Sequence, residues 1–146
     1  MIDVSAYGVK TVIIVDDQDV LRFSLRSQLS YSSQYMLVGE ARNGVEAVQL
    51  AQQKKPDIIL MDIKMPELSG VEATKQIKAE FPATTVLMFT GDEDEAMVQC
   101  ALSAGATGYC IKGISREDLM EAMQSTLNGE TWLDPKLESM SSAAAS

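Results

Sequence analysis

The sequence predicts an α/β protein built on a mostly parallel sheet, and two observations carry that prediction. Short, β-branched apolar runs alternate with helical patterns from residue 10 to residue 128, the order expected of βαβ units. Four of those runs end in polar residues, at Asp16-Asp17, Asp62, Thr90 and Lys112. In open parallel sheets, ligands and chemistry sit just beyond the carboxyl ends of the strands.

The elements follow in order. Thr11-Val12-Ile13-Ile14-Val15 has the length and branching of a buried strand, and Leu21, Leu25 and Leu29 then recur at helical spacing. Met36-Leu37-Val38-Gly39 is a weaker strand. Asn43-Gly44-Val45-Glu46 has the spacing of a capping box and opens a helix continued by Val45, Val48 and Ala51. Ile58 to Met61 is the third strand. Ser69-Gly70-Val71-Glu72 opens a helix with Val71, Thr74, Ile77 and Phe81 on one face. Val86 to Phe89 is the fourth strand, and Asp92-Glu93-Asp94-Glu95 places acids at the positive end of the next helix. Tyr109-Cys110-Ile111 is the fifth strand. Ser115-Arg116-Glu117-Asp118 opens the last helix, carried by Leu119, Ala122, Met123 and Leu127, while Gly105 and Gly129 stand where helix C-caps belong. Five strands and five helices are expected in one domain over residues 1–129. Residues 130–146 are expected to hold a brief docking segment at Trp132-Leu133-Asp134-Pro135 and then a linker or tail, with no output domain following.

Composition narrows the function. The net charge of −9, from 12 basic and 21 acidic residues, disfavours nucleic-acid binding by this chain. The chain has no histidine, which excludes histidine acid–base chemistry, histidine metal ligation and a histidine phosphate carrier. No apolar run approaches a bilayer span, and the start Met1-Ile2-Asp3-Val4-Ser5 has no basic segment or apolar signal core. A cytoplasmic protein without membrane association is the expectation. Cys100 and Cys110 lack metal or redox spacing and are expected to be buried thiols. Met97, Met120 and Met123 are expected to fill the core.

At the strand ends, Asp16, Asp17 and Asp62 would meet in space and repel unless a cation lay among them. Oxygen ligands with an incomplete shell suit Mg²⁺ and phosphate chemistry. Lys112 offers a compact charge for a phosphoryl oxygen, and Thr90 a hydroxyl. Asp62 stands alone on a central strand and is the better nucleophile candidate for an aspartyl-phosphate, leaving Asp16 and Asp17 to hold the metal. Each residue alone has a plainer reading. One of Asp16 and Asp17 could cap the first helix, Asp62 could be a turn residue, Lys112 a solvated strand end, and Tyr109 a packed aromatic.

The stretches Val15-Asp16-Asp17, Asp57 to Gly70 with its Met-Asp-Ile-x-Met-Pro-x-x-x-Gly core, Phe89-Thr90-Gly91 and Gly108 to Lys112 resemble the receiver domain of bacterial two-component response regulators. The likeness runs from about Lys10 to Asn128. It implies a flavodoxin-like (βα)5 doubly wound fold with strand order 2-1-3-4-5. It implies that Asp62 accepts a phosphoryl group from a sensor histidine kinase's phosphohistidine, or from a phosphotransfer protein. Asp17 and Asp62 would ligate Mg²⁺ through side chains, Asp16 mainly through water, and Lys64 through its backbone carbonyl. Lys112 and Thr90 would bind phosphoryl oxygens, while Thr90 and Tyr109 would act as the paired switch. The readout surface would be the fourth helix, fifth strand and fifth helix, roughly Asp94 to Asn128. A homodimer on phosphorylation is left open.

Three details qualify the likeness. Lys64 and Asp92 flank the phosphate position and are expected to pair across its mouth, slowing hydrolysis. Gly113 follows Lys112 where many receivers have proline. The segment Gly129 to Pro135 is similar to the one after receivers that carry a LuxR-type helix-turn-helix, through which alone DNA would be bound. Two other classes stay open: a haloacid-dehalogenase-like phosphatase, which needs an acid where Lys64 stands, and a phosphorylation-independent pseudo-receiver that only binds proteins.

Overall fold

The computed structural model describes residues 8–91 and 95–136. Its elements are β1 (Lys10–Val15), α1 (Asp19–Ser30), β2 (Tyr35–Ala41), α2 (Gly44–Lys54), β3 (Ile58–Asp62), α3 (Gly70–Glu80), β4 (Thr85–Thr90), α4 (Glu95–Ser103), β5 (Gly108–Ile111), α5 (Arg116–Leu127) and β6 (Trp132–Leu133). The sheet order is β2-β1-β3-β4-β5-β6, and every neighbouring pair is parallel. This is the expected doubly wound order with one strand added. The expected docking segment supplies that strand: Trp132 and Leu133 pair with Gly108 and Tyr109. Two residues are too few for a period to show in sequence, and the pairing depends on a partner strand far away in the chain.

Alternation along the strands divides the core. Ile13, Val15, Ile59, Met61, Val86, Met88 and Tyr109 face α2, α3 and α4, packing on Ala47, Ala73, Ile77 and Val98. Val12, Ile14, Ile58, Leu60, Leu87, Phe89 and Cys110 face α1 and α5, packing on Leu29, Leu119 and Met123. Both faces of the central strands are covered, which is why those strands are continuous apolar runs rather than alternating ones.

Helix starts are where the capping residues placed them. The side chains of Asn43, Ser69 and Ser115 each accept the backbone N–H three residues on, from Glu46, Glu72 and Asp118. Gly105 and Gly129 follow α4 and α5 with φ of +109° and +88°. Gly70 is required by close approach: a Cβ there would lie 2.0 Å from the backbone oxygen of Asp62. The missing side chain lets the first turn of α3 sit against the end of β3.

Two expectations on the core are corrected. Cys100 is exposed, because α4 buries Val98 and Ala101, with Ala104 just beyond its end, and leaves position 100 on the outer side. Val45 is likewise exposed, and α2 buries Gly44, Ala47 and Ala51 instead. Cys110 and Met123 are fully buried as expected, and Met97 and Met120 pack partly buried against the two halves of the core. The expected acidic helix start at residues 92–94, the Lys64–Asp92 pair, the chain start and the tail beyond Lys136 lie outside the described residues. No helix among the described residues is long and apolar enough to cross a membrane.

Candidate functional site: an acidic pocket at the strand ends

The four sequence-predicted strand ends lie at one edge of the sheet. β1 and β3 are adjacent, with Val15 opposite Met61, so Asp16 and Asp62 follow side by side. Carboxylate oxygens of Asp16, Asp17 and Asp62 all lie within 4.8 Å of one another. Asp16 and Asp62 are buried, whereas Asp17 is exposed at the rim. The side chains of Asp16 and Asp17 do not cap α1. Its N-cap is Gln18, which makes no side-chain cap bond, and Asp16 Oδ1 instead accepts the Gln18 N–H at 2.9 Å.

Lys112 reaches the cluster from the end of β5. Its Nζ lies 3.1 Å from Asp62 Oδ1 and 3.3 Å from Asp16 Oδ2. The Lys112 N–H also donates to the Thr90 carbonyl at 2.7 Å, which ties the β4 and β5 ends together. Among the described residues, the buried Asp62 Oδ2 has no hydrogen-bond partner. One oxygen of the carboxylate is therefore held by an ammonium while the other has no hydrogen-bond partner among the described residues.

Electrostatics follow from that placement. Burial pushes the Asp62 carboxyl up from 3.8 to about 6, and the Asp16 charge adds to the rise. Lys112 opposes it by charge and hydrogen bond, and Asp17 contributes a further, smaller rise. One ammonium among three carboxylates leaves the pocket short of positive charge. An all-oxygen donor set with an orphaned buried oxygen fits a hard divalent cation such as Mg²⁺.

Thr90, the last residue of β4 at this edge, and Tyr109 lie on the sheet face toward α3 and α4. Met88 pairs with Tyr109 and Thr90 with Ile111, so in this parallel register Thr90 and Tyr109 share the face toward α3 and α4. Thr90 is buried, and the Tyr109 ring is fully buried in the core on that side. Lys64 is exposed beyond β3, on a shallow groove with Asp17, Met65, Pro66 and Met97. Gly113 takes φ of +90°, a backbone that proline with its fixed negative φ cannot adopt, so the loop after Lys112 has a shape of its own.

Sequence reasoning missed two residues that bear on the pocket. Gly70 was read as a helix start and as the last residue of the Met-Asp-Ile-x-Met-Pro-x-x-x-Gly stretch, but not for the close approach of α3 to the Asp62 carbonyl that its lack of a side chain permits. Arg22 was passed over beside the Leu21, Leu25, Leu29 stripe, yet it is buried and donates to the Asp16 carbonyl at 2.6 Å. Its place three residues after Asp19 was the available signal.

The structure thus joins a parallel sheet of order β2-β1-β3-β4-β5-β6 to an acidic cluster and a lysine at its carboxyl edge. The family model of the response regulator receiver domain matches residues 12–124, and the chain belongs to that family. It is 42% identical over 126 residues to the transcriptional regulatory protein YdfI of Bacillus subtilis, covering 86% of this chain and 59% of that protein. It is 40% identical to the response regulator protein VraR of Staphylococcus aureus, covering 86% of this chain and 60% of the relative. The chain thus spans about 60% of the length of these relatives. Among solved structures, a LuxR-family two-component response regulator from an Aurantimonas species superposes with a TM-score of 0.85 at 30% identity, covering 90% of this chain and 94% of the other. The receiver domain of the putative regulator NarL from Mycobacterium tuberculosis gives 0.80 at 30% identity, covering 84% and 99%.

Proposed function

We propose that this receiver is a phosphoacceptor switch in which Asp62 takes a phosphoryl group from the phosphohistidine of a sensor histidine kinase or a phosphotransfer protein. The observation that carries this reading is the asymmetry of the Asp62 carboxylate, with Oδ1 held by Lys112 at 3.1 Å and Oδ2 left without a hydrogen-bond partner among the described residues. A carboxylate oxygen attacks phosphorus, an O–P bond forms, the N–P bond breaks and the imidazole leaves. Such transfers need mainly positioning and charge neutralisation. Asp16, Asp17, Asp62 and the Lys64 carbonyl would hold Mg²⁺, which when bound supplies the positive charge the pocket lacks. Lys112 sits where it can follow a phosphoryl oxygen, and Thr90 offers a second donor at the same rim.

Phosphorylation would then act through Thr90 and Tyr109, which share one face of β4 and β5, on the surface of α4, β5 and α5. In the longer relatives named as transcriptional regulators, a receiver of this length leaves room for an output domain. We assign this chain, on that likeness, to the control of transcription, with DNA contacted through an output domain outside residues 1–129, residues 130–146 serving as docking segment and linker, and a homodimer formed on phosphorylation. Its place in the cell would be the cytoplasm.

Intact mass after incubation with Mg²⁺ and a small phosphodonor tests the reading. One added phosphoryl group is expected on the parent, and none on Asp62→Asn or in a metal-free control. No adduct on the parent would overturn the reading in favour of a phosphorylation-independent binding module.

A further inference from the structure

Arg22 is a buried cation behind the acidic pocket, and none of the roles assigned above uses it. It stands in the second turn of α1 with its side chain 9% exposed. Its planar guanidinium is satisfied on three sides. Nη1 donates to the backbone carbonyl of Asp16 at 2.6 Å. Nη2 pairs with the Asp19 carboxylate at the start of α1. Nε lies 3.4 Å from Glu40 Oε1 on β2, and Glu40 is itself gripped by Arg26 Nη1 at 2.9 and 2.8 Å. A fork of fixed donors can span three acceptors at once, whereas an ammonium is a single point charge.

The contact with the Asp16 carbonyl matters because the backbone is then held on both sides of Asp16. Asp16 N–H donates to the Ala41 carbonyl at the end of β2, at 3.1 Å. Its carbonyl is the one held by Arg22, and the next residue along the same peptide is Asp17. Orientation of the 16–17 peptide therefore sets where both carboxylates point relative to Asp62. Three mutually repelling acids would otherwise tend to turn apart, and Asp17 at the exposed rim has the most freedom to do so.

We propose that Arg22 is a positioning residue for the cation site: by holding the Asp16 carbonyl against α1 it keeps the Asp16-Asp17 pair converged on Asp62 before any cation binds. The inference rests on the phosphoacceptor reading above. Partners that orient metal ligands from behind commonly change metal affinity by about 10–100-fold when removed. The role differs from a general contribution to folding in a way that can be read. Glu40 and Asp19 hold Arg22 at Nε and Nη2 through their carboxylates, so Glu40→Gln and Asp19→Asn remove the charge of its other partners and spare the Nη1 contact with the Asp16 carbonyl.

The experiment measures Mg²⁺ affinity of the unphosphorylated protein by displacement of paramagnetic Mn²⁺, alongside the metal-free melting temperature. The proteins compared are the parent, Arg22→Met, Arg22→Lys, Glu40→Gln and Asp19→Asn. Arg22→Met is expected to weaken Mg²⁺ about tenfold or more, while Glu40→Gln and Asp19→Asn stay within about twofold of the parent although the metal-free melting temperature falls in all three. Adduct formation on Arg22→Met is expected to recover at saturating Mg²⁺. Should Arg22→Met not fold, Arg22→Lys takes its place with the same expectation, since one ammonium cannot serve all three acceptors. Unchanged Mg²⁺ affinity in the folded Arg22 variant, or an equal loss in Glu40→Gln, overturns the positioning role while leaving the phosphoacceptor reading standing. A parent that binds neither Mn²⁺ nor Mg²⁺ overturns the phosphoacceptor reading itself and the inference with it.

Discussion

Asp57 and Asp62 bracket β3, one before its first residue and one at its last, and their surroundings could hardly differ more. The Asp57 carboxylate accepts the Thr11 N–H at 2.8 Å and the Thr11 hydroxyl at 3.1 Å, while its own N–H donates back to that hydroxyl at 3.1 Å. It knits β1 to β3 and has its hydrogen bonds in hand. Asp62 has two further carboxylates and one ammonium for company, and its Oδ2 lacks a hydrogen-bond partner among the described residues. The same side chain at the two ends of one strand is a fastening at one end and an unsatisfied, charge-crowded group at the other. Burial and unmet electrostatic demand, rather than residue type, separate the proposed phosphoacceptor from the structural aspartate.

The sharpest way to break this contrast is to take the ammonium away from Asp62. Lys112→Met removes the group that holds Oδ1 and lowers the carboxyl pKa, so the acid moves above its present value of about 6 and is more protonated at neutral pH. The rate of adduct formation from a small phosphodonor, followed by mass at saturating Mg²⁺, is expected to fall about a hundredfold.

Next in size is a pH effect on the metal-free protein. Asp62 titrates near 6 when folded against 3.8 ordinarily. An acid raised in this way contributes stability that is full below the lower value and is lost as pH rises through the upper one. The difference is on the order of 2–3 kcal/mol. With chelator present, the melting temperature should fall through this group as pH rises from about 4 to about 6.5, and Asp62→Asn should flatten that part of the profile. Adding Mg²⁺ at the higher pH should restore what was lost. The smallest expected effect is at the other end of the strand. Asp57→Ala strands the Thr11 N–H and should cost about 1–2 kcal/mol in a denaturant melt, with adduct formation at Asp62 unchanged.

The legibility of the chain in its sequence follows the same physical division. Local signals were readable: the caps at Asn43, Ser69 and Ser115, the glycines after α4 and α5, and the apolar runs buried on both faces. The pocket was readable because a parallel sheet gathers strand ends without any need to know side-chain contacts. What escaped depends on distant partners. β6 exists only because β5 offers an edge, Arg22 matters through a backbone carbonyl six residues earlier, and Gly70 matters through an atom of β3. Cys100 escaped for a different reason: small residues on two sides of a short helix blur which stripe is inside.

The short sixth strand has one more consequence. Trp132 N–H donates to the Thr107 carbonyl and Asp134 N–H to the Tyr109 carbonyl, and the buried Asp134 carboxylate then accepts the Ile111 N–H at 3.2 Å. A two-residue strand and one acid thus occupy hydrogen-bonding groups along the outer edge of β5. An open edge strand is a template for another chain's strand. Here that template is closed by the protein's own backbone, and it is closed beside Tyr109 and just before Lys112. The edge of β5 is therefore closed to another chain's strand, and the edge the sheet presents in its place is the two residues of β6, too short to be a good template.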